Sequence, residues 1–373
     1  MRTANILINQ GALTHNLAQV NKIAPNSKVL AMVKANAYGH GVAMCLPALT
    51  DADAIGVATL AEAIQAKQLG WAKHTVLIEG VFSQAEWQTA INNHFMCVIH
   101  QQQQLDWALQ NIPKHDCQTK TIWLKLNTGM NRLGFDQHSV IEAAKQLTQA
   151  GYQLILTSHF ANADDKSTPL NEQQGTLFSK VFTQLQQQVD PNIKGSLCNS
   201  AAIINFPNWH FDWVRPGIML YGSSPVVDKA SDQLNLKPVM TLQAKIMAVH
   251  QLNTGEMVGY GSRWKAQRAS RVGIVSIGYG DGYPRVVDNT AWVAVTDTTT
   301  QAGLHKAAII GRVAMDMIVI DLTDLTASLG IDSIVTLWGA APQIDEVAQS
   351  ANTISYELLC RLTTRPTRKL HKT

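Results

Sequence analysis

Lys28-Val29-Leu30-Ala31-Met32-Val33-Lys34-Ala35-Asn36-Ala37-Tyr38-Gly39-His40-Gly41 is the stretch on which the fold turns. Residues 28–33 form a short apolar run with strand character. It stops at a lysine followed by polar, glycine-containing sequence that reads as a turn. The same unit recurs. Short apolar, β-branched runs occupy 54–57, 76–78, 97–99, 122–126, 154–157, 195–198 and 213–214. Helical patterns lie between them at 60–69, 101–109, 139–150 and 170–189. Eight β-then-α units predict a closed parallel (β/α)8 barrel of the TIM type, a fold that usually takes about 250 residues. An open doubly wound sheet is the alternative, and it usually has fewer strands.

Near Pro225 and Pro238 the rhythm changes, and 226–232 reads as a linker. Beyond it, strand-like runs recur at 240–250, 271–277, 292–295, 307–310, 317–321 and 333–337, with helical patterns only at 345–351 and 354–362. The expected division is therefore 1–230, an α/β barrel, and 231–373, a mostly-β domain.

Composition excludes several classes. Of 373 residues, 46% are hydrophobic and 15% charged, enough apolar sequence for a sizeable core. The formal net charge is +3, and the main basic cluster, Arg361, Arg365, Arg368, Lys369 and Lys372, reads as a solvated tail rather than a nucleic-acid patch. Five widely spaced cysteines (45, 97, 117, 198 and 360) without a C-x-x-C pair fit free thiols, and neither disulfides nor a metal site. No long apolar stretch or signal-peptide core is visible, so a soluble, cytoplasmic protein without membrane partners is expected.

In a barrel of this kind the working groups follow the strands, at the C-terminal face. Lys34 follows the first run. Poorly solvated there, a lysine loses basicity and becomes a Schiff-base former; the plain alternative is a surface lysine. Arg132 follows the fifth run in Asn127-Thr128-Gly129-Met130-Asn131-Arg132-Leu133-Gly134, where a planar guanidinium suits a carboxylate. His159 follows the sixth, and a satisfied core histidine is the ordinary reading. Asn199 and Ser200 follow the seventh; Arg215, Gly217 and Ile218 follow the eighth. Barrels bind phosphate at those last two positions, through small residues and helix starts, although Ser200 equally suits ordinary helix capping. Each signal is weak alone, but together they converge on one rim.

Residues 33–41 resemble the pyridoxal-phosphate (PLP) lysine signature of bacterial alanine racemases. The resemblance continues in order through 127–134, 158–161, 199–202, 214–222, Val258-Gly259-Tyr260-Gly261, 277–284 and Gly311-Arg312-Val313-Ala314-Met315-Asp316. It implies a homodimer with shared sites that racemises alanine and supplies D-alanine for peptidoglycan. Lys34 would carry PLP and exchange a proton on one face of the substrate; Tyr260 of a second subunit would serve the other. Tyr38, Ser200, Gly217 and Ile218 would hold the phosphate, with Asn199 in the same cofactor cradle. Arg132 would contact the cofactor's phenolic oxygen and the substrate carboxylate. His159 would bridge Tyr260 and Arg215. Tyr279 and Met315 of the partner would line the entry. Some members of the family carry a carbamylated lysine at the position of Lys125.

Chemistry supports that constellation. Racemisation needs a proton source on each face of a planar carbanion; the cofactor supplies the electron sink and the protein the orientation. Free tyrosine titrates near about 10, so a phenol serves as base only if its anion is stabilised. Arginine at position 215 cannot protonate the pyridine nitrogen, which limits transamination. Two departures stand out: Thr364 falls where many members have a tyrosine, and Ala314 where some have a reactive cysteine. Three other readings compete. A small PLP-binding homeostasis protein would lack the second domain. A barrel-type decarboxylase would need a catalytic cysteine there. Racemisation of another amino acid, such as serine, is not separated by sequence.

Overall fold

The computed structural model describes residues 4–113, 120–296 and 303–371; Cys117 and Lys372 lie outside them. Eight parallel strands form the barrel: Lys28–Met32, Ala54–Val57, His74–Leu77, Met96–Ile99, Thr121–Lys125, Gln153–Thr157, Lys194–Ser196 and Trp213–Val214. Each of the first six pairs with the next in chain order, and the first also pairs with the eighth, Val29 opposite Val214. The last seam is closed by an Asn199–Arg215 bridge and by the Ser196 hydroxyl, which donates to the Trp213 carbonyl at 3.0 Å. Ala54–Val57 and Met96–Ile99 are buried at every position. That is why these runs are continuously apolar rather than alternating: a parallel strand has protein on both faces.

The second sheet is largely antiparallel and is organised on one long strand, Met240–Leu252. It pairs with Ser270–Val275, with Ile334–Trp338 and with Asn5–Ile8. The last pairing places the first strand of the chain, inside the span expected to be barrel, in the β domain: Asn5 lies opposite Gln243. On its other side Asn5–Ile8 pairs in parallel with Thr367–Leu370. The basic C-terminal segment is therefore not a solvated tail. It is an edge strand, with Arg365 paired to Asp316 at 2.6 Å and Arg368 Nε donating to the Gly39 carbonyl at 3.0 Å. Two β domain helices, Ile344–Ser350 and Ser355–Cys360, precede it. No helix among the described residues is long and apolar enough to cross a membrane.

Candidate active site

A cavity of about 570 Å³ opens at the C-terminal rim of the barrel. Lys34, Tyr38, Arg132, His159, Asn199, Ser200, Arg215, Gly217 and Ile218, singled out above one strand at a time, all line it, and so does Lys125. Four cationic side chains, Lys34, Lys125, Arg132 and Arg215, face one carboxylate, Glu79. A pocket with that imbalance is built for an anionic occupant.

The lysine is presented by an uncommon backbone. Ala35, Asn36, Ala37 and Tyr38 are all left-handed, with φ of 53°, 55°, 54° and 51°. L-residues resist this conformation by about 1–2 kcal/mol each, so the turn must be held. Ala37 N–H donates to Val33 O at 2.8 Å, and Gly39 N–H to Ala35 O at 2.9 Å. His40, fully buried, donates from Nδ1 to the carbonyls of Ala37 (3.0 Å) and Tyr38 (2.9 Å). Burial lowers its pKa to about 4, so it acts as a neutral clamp. Gly39 is required twice over: its φ is +77°, and a Cβ there would lie 2.0 Å from the Leu359 carbonyl oxygen.

The opposite wall suits a phosphate. The Ser200 hydroxyl accepts the Gly217 N–H at 2.7 Å and keeps its own proton free to donate. A Cβ on Gly217 would come within 2.6 Å of the Tyr38 hydroxyl, so only glycine lets that phenol approach the backbone. Tyr38 is in turn stacked on Tyr221 at 4.8 Å. The Tyr38 and Ser200 hydroxyls and the cation excess together fit a phosphorylated cofactor.

Arg215 is buried among acceptors. It donates to the Ser196 carbonyl (2.9 Å) and hydroxyl (2.7 Å), and to the Ser158 (2.5 Å) and Leu197 (3.1 Å) carbonyls. It also reaches His159 Nδ1 at 3.3 Å. Guanidinium has no acceptor, so Nδ1 must accept and the proton of the neutral ring sits on Nε2. Burial first, then the Arg215 charge, hold the His159 pKa well below its ordinary value. The Asn199 amide nitrogen, 3.5 Å from Nε2, is a contact rather than a bond, since both groups would be donors. Asn199 instead caps the helix Ser200–Asn205 by accepting the Ala202 N–H at 3.0 Å.

Lys125 ends the fifth barrel strand, and Arg132 stands on the loop that folds back over it, where Phe135 N–H returns to the Lys125 carbonyl at 2.9 Å. Burial, then the charges of Arg215 and Arg132, bring the Lys125 pKa down to about 8.

Tyr260, Tyr279 and Met315 do not line this cavity. They lie on the β domain, with Tyr260 74% and Met315 52% exposed. Tyr279 and Met315 are brought together: Tyr279 N–H donates to Ala314 O at 3.1 Å and Gly280 N–H to Met315 O at 2.8 Å. Thr364 is exposed and absent from the cavity wall. The β domain reaches the cavity through Tyr356 and Cys360 instead, which sequence reasoning missed, as it missed Glu79. A helix from a distant domain carries no local sign of where it docks.

A closed barrel with a lysine on its rim, facing excess positive charge and a phosphate cradle, defines an enzyme of the barrel-type, lysine-and-cofactor class. The chain belongs to the alanine racemase family: residues 8–225 match its model for "Alanine racemase, N-terminal domain" and 239–370 that for "Alanine racemase, C-terminal domain". It is 56% identical to the alanine racemase of Psychrobacter sp. (strain PRwf-1), over 99% of this chain and 100% of that protein. The structure of alanine racemase from Acinetobacter baumannii matches with a TM-score of 0.92 and 48% identity, covering 100% of both chains. That from Bartonella henselae, with covalently bound pyridoxal phosphate, matches with a TM-score of 0.85 and 29% identity, again over 100% of both. The family consists of PLP-dependent isomerases, and this chain is an amino-acid racemase that interconverts L- and D-alanine. The homeostasis-protein and decarboxylase readings fall with the match to both domains.

Proposed function

We propose that Lys34 and Tyr260, the latter from a second copy of the chain, are the two bases of alanine racemisation, on opposite faces of a PLP held in the rim cavity. The observation that carries this reading is the collection of four cations against one carboxylate around Lys34. PLP, when bound, supplies the electron sink for the carbanion left at Cα. Lys34 Nζ holds the cofactor covalently and moves a proton on one face. Tyr38, Ser200, Gly217 and Ile218 hold the phosphate. Arg132 orients the substrate carboxylate, with the Met315 backbone of the partner nearby and the partner's Tyr279 at the entry.

The proton on His159 Nε2 is available to a phenolate oxygen, so His159, backed by Arg215, makes Tyr260 a usable base. Arg215 gives the ring nitrogen hydrogen-bond donors but no proton, and so restrains transamination. The homodimer is supported by the exposure of four large apolar or aromatic side chains of the β domain, Met257, Tyr260, Met315 and Met317, which a second subunit would cover. Lys125 is proposed to carry a carbamate. Its lowered pKa leaves more neutral amine for carbon dioxide, and the product anion would face Arg132 and Arg215. The product D-alanine serves peptidoglycan, and the four free cysteines of the described residues agree with a reducing cytoplasm.

The test is to incubate the purified protein with L-alanine, score D-alanine by chiral chromatography, and map the residue fixed to PLP by borohydride. Label on any residue other than Lys34 rejects the reading.

A further inference from the structure

Glu62 lies in the first turn of the helix Leu60–Gln68, and its two oxygens do separate jobs. Oε2 accepts the N–H groups of Ala58 at 2.8 Å and Thr59 at 3.2 Å. With the Thr59 hydroxyl accepting Glu62 N–H at 3.2 Å, this is an ordinary capping box. Oε1 leaves the helix. It accepts the Ala35 N–H at 2.7 Å, from the peptide group that directly follows Lys34.

We infer that Glu62 is a positioning residue for Lys34. The left-handed turn that follows Lys34 needs support. Ala35 is its first residue, and four consecutive L-residues in that region relax unless both ends are held. The far end is held by His40 and by Arg368, which donates to the Gly39 carbonyl. Glu62 holds the near end. A short bond from N–H to carboxylate is charge-assisted and among the stronger ones available. It fixes the plane of the Lys34–Ala35 peptide, and with it the direction in which the Lys34 side chain leaves the backbone. A capping role alone would not need the second oxygen to reach another βα unit, 27 residues away.

The inference rests on Lys34 carrying PLP, so the experiment reads the two separately. Parent, Glu62→Ala, Glu62→Asp and Thr59→Ala are prepared with PLP and fixed with borohydride. Label elsewhere than Lys34 in the parent defeats the cofactor assignment. Label on Lys34 leaves Glu62 to be judged on three measurements: the pH titration of the bound-cofactor absorbance, cofactor retention on dialysis, and kcat and KM for L-alanine.

Glu62→Ala is expected to lower kcat about tenfold or more with little change in KM, because a charge-assisted bond is lost and the reacting nitrogen is displaced. It should also shift the absorbance titration and shed cofactor. Glu62→Asp keeps a charge in the first turn but is a methylene too short for Ala35. Like Glu62→Ala, it should lose kcat. Thr59→Ala should lower Tm while keeping kcat and the titration. Parental kcat and titration in Glu62→Asp overturn the inference, as does an equal loss of kcat in Glu62→Ala and Thr59→Ala.

Discussion

Arg215 Nη2 lies 3.3 Å from His159 Nδ1, and this one contact assigns the imidazole proton to the other nitrogen. Arg215 itself is fixed by three carbonyl groups and a hydroxyl, so the tautomer is imposed by the barrel and not by the occupant of the cavity. On the proposed reading, the pair would serve two ends of the chemistry, His159 toward a phenol and Arg215 toward a pyridine nitrogen.

Arg215→Glu tests both. A carboxylate beside the ring nitrogen would stabilise its protonated form, with the proton drawn from solvent, and so slow racemisation and raise transamination. It would also remove the Arg215 donor from the Ser158 and Leu197 carbonyls, at about 1–3 kcal/mol for each group left buried and unpaired, while the Ser196 carbonyl keeps the Ser158 N–H at 3.2 Å. Product analysis should show pyruvate beside D-alanine, and thermal unfolding a lower Tm. An unchanged product ratio would refute this account of Arg215.

Lys34→Ala should give a colourless, inactive protein. Normal turnover without an added amine would end the assignment of Lys34.

Tyr260→Phe removes one of the two proposed proton-transfer groups, and kcat from L-alanine should fall about 10²–10⁴-fold. Cofactor absorbance should stay near parental, since the groups proposed to hold the cofactor, Lys34, Tyr38 and Ser200 among them, are untouched and the aromatic ring is kept. Mixing the inactive Lys34→Ala and Tyr260→Phe proteins should restore part of the activity through heterodimers with one intact site. Verified subunit exchange without recovery counts against shared sites.

Carbon-13-labelled carbon dioxide should produce a slowly exchanging carbamate signal in the parent and none in Lys125→Ala. That variant should lose activity and regain part of it with small carboxylates. A parent spectrum without the signal at pH 8, where the amine is substantially neutral, would dismiss the carbamate.

His40 predicts an acid-stability profile. Its pKa is about 4 in the folded chain against the 6.5 of an ordinary histidine, so the unfolded chain binds its proton first. Stability is therefore lost as pH falls from 6.5, and the His40 share levels off below about 4. That share is about 3 kcal/mol from the size of the shift. His159, also lowered, adds to the slope in the same direction. Urea titrations from pH 7 to 4 should show a shallower decline for His40→Phe, which keeps the ring against Tyr221 but starts less stable for want of the Nδ1 clamp. Parallel declines in the two proteins would disprove the buried neutral imidazole.

The amino-acid sequence by itself marked the barrel strands, because most of them, such as Ala54–Val57 and Met96–Ile99, are covered on both faces and therefore read as short apolar runs. It also determined which residues stand after each strand, because that placement is local. Lys34, Arg132, His159, Ser200 and Arg215 were legible for this reason, and the barrel supplied their convergence. Tertiary structure alone decided what depends on partners far along the chain. Asn5–Ile8 joins the β domain through contacts more than two hundred residues away, and Thr367–Leu370 becomes a strand only because Asn5–Ile8 lies beside it. The left-handed turn after Lys34 has four L-residues whose local preference is against it, so it exists through its clamps and could not be read from propensity. The His159 tautomer depends on where Arg215 is pinned, and the reach of Glu62 to Ala35 on how two βα units pack. Periodicity and chain neighbours leave a mark on a short window of sequence; a hydrogen bond between distant elements does not.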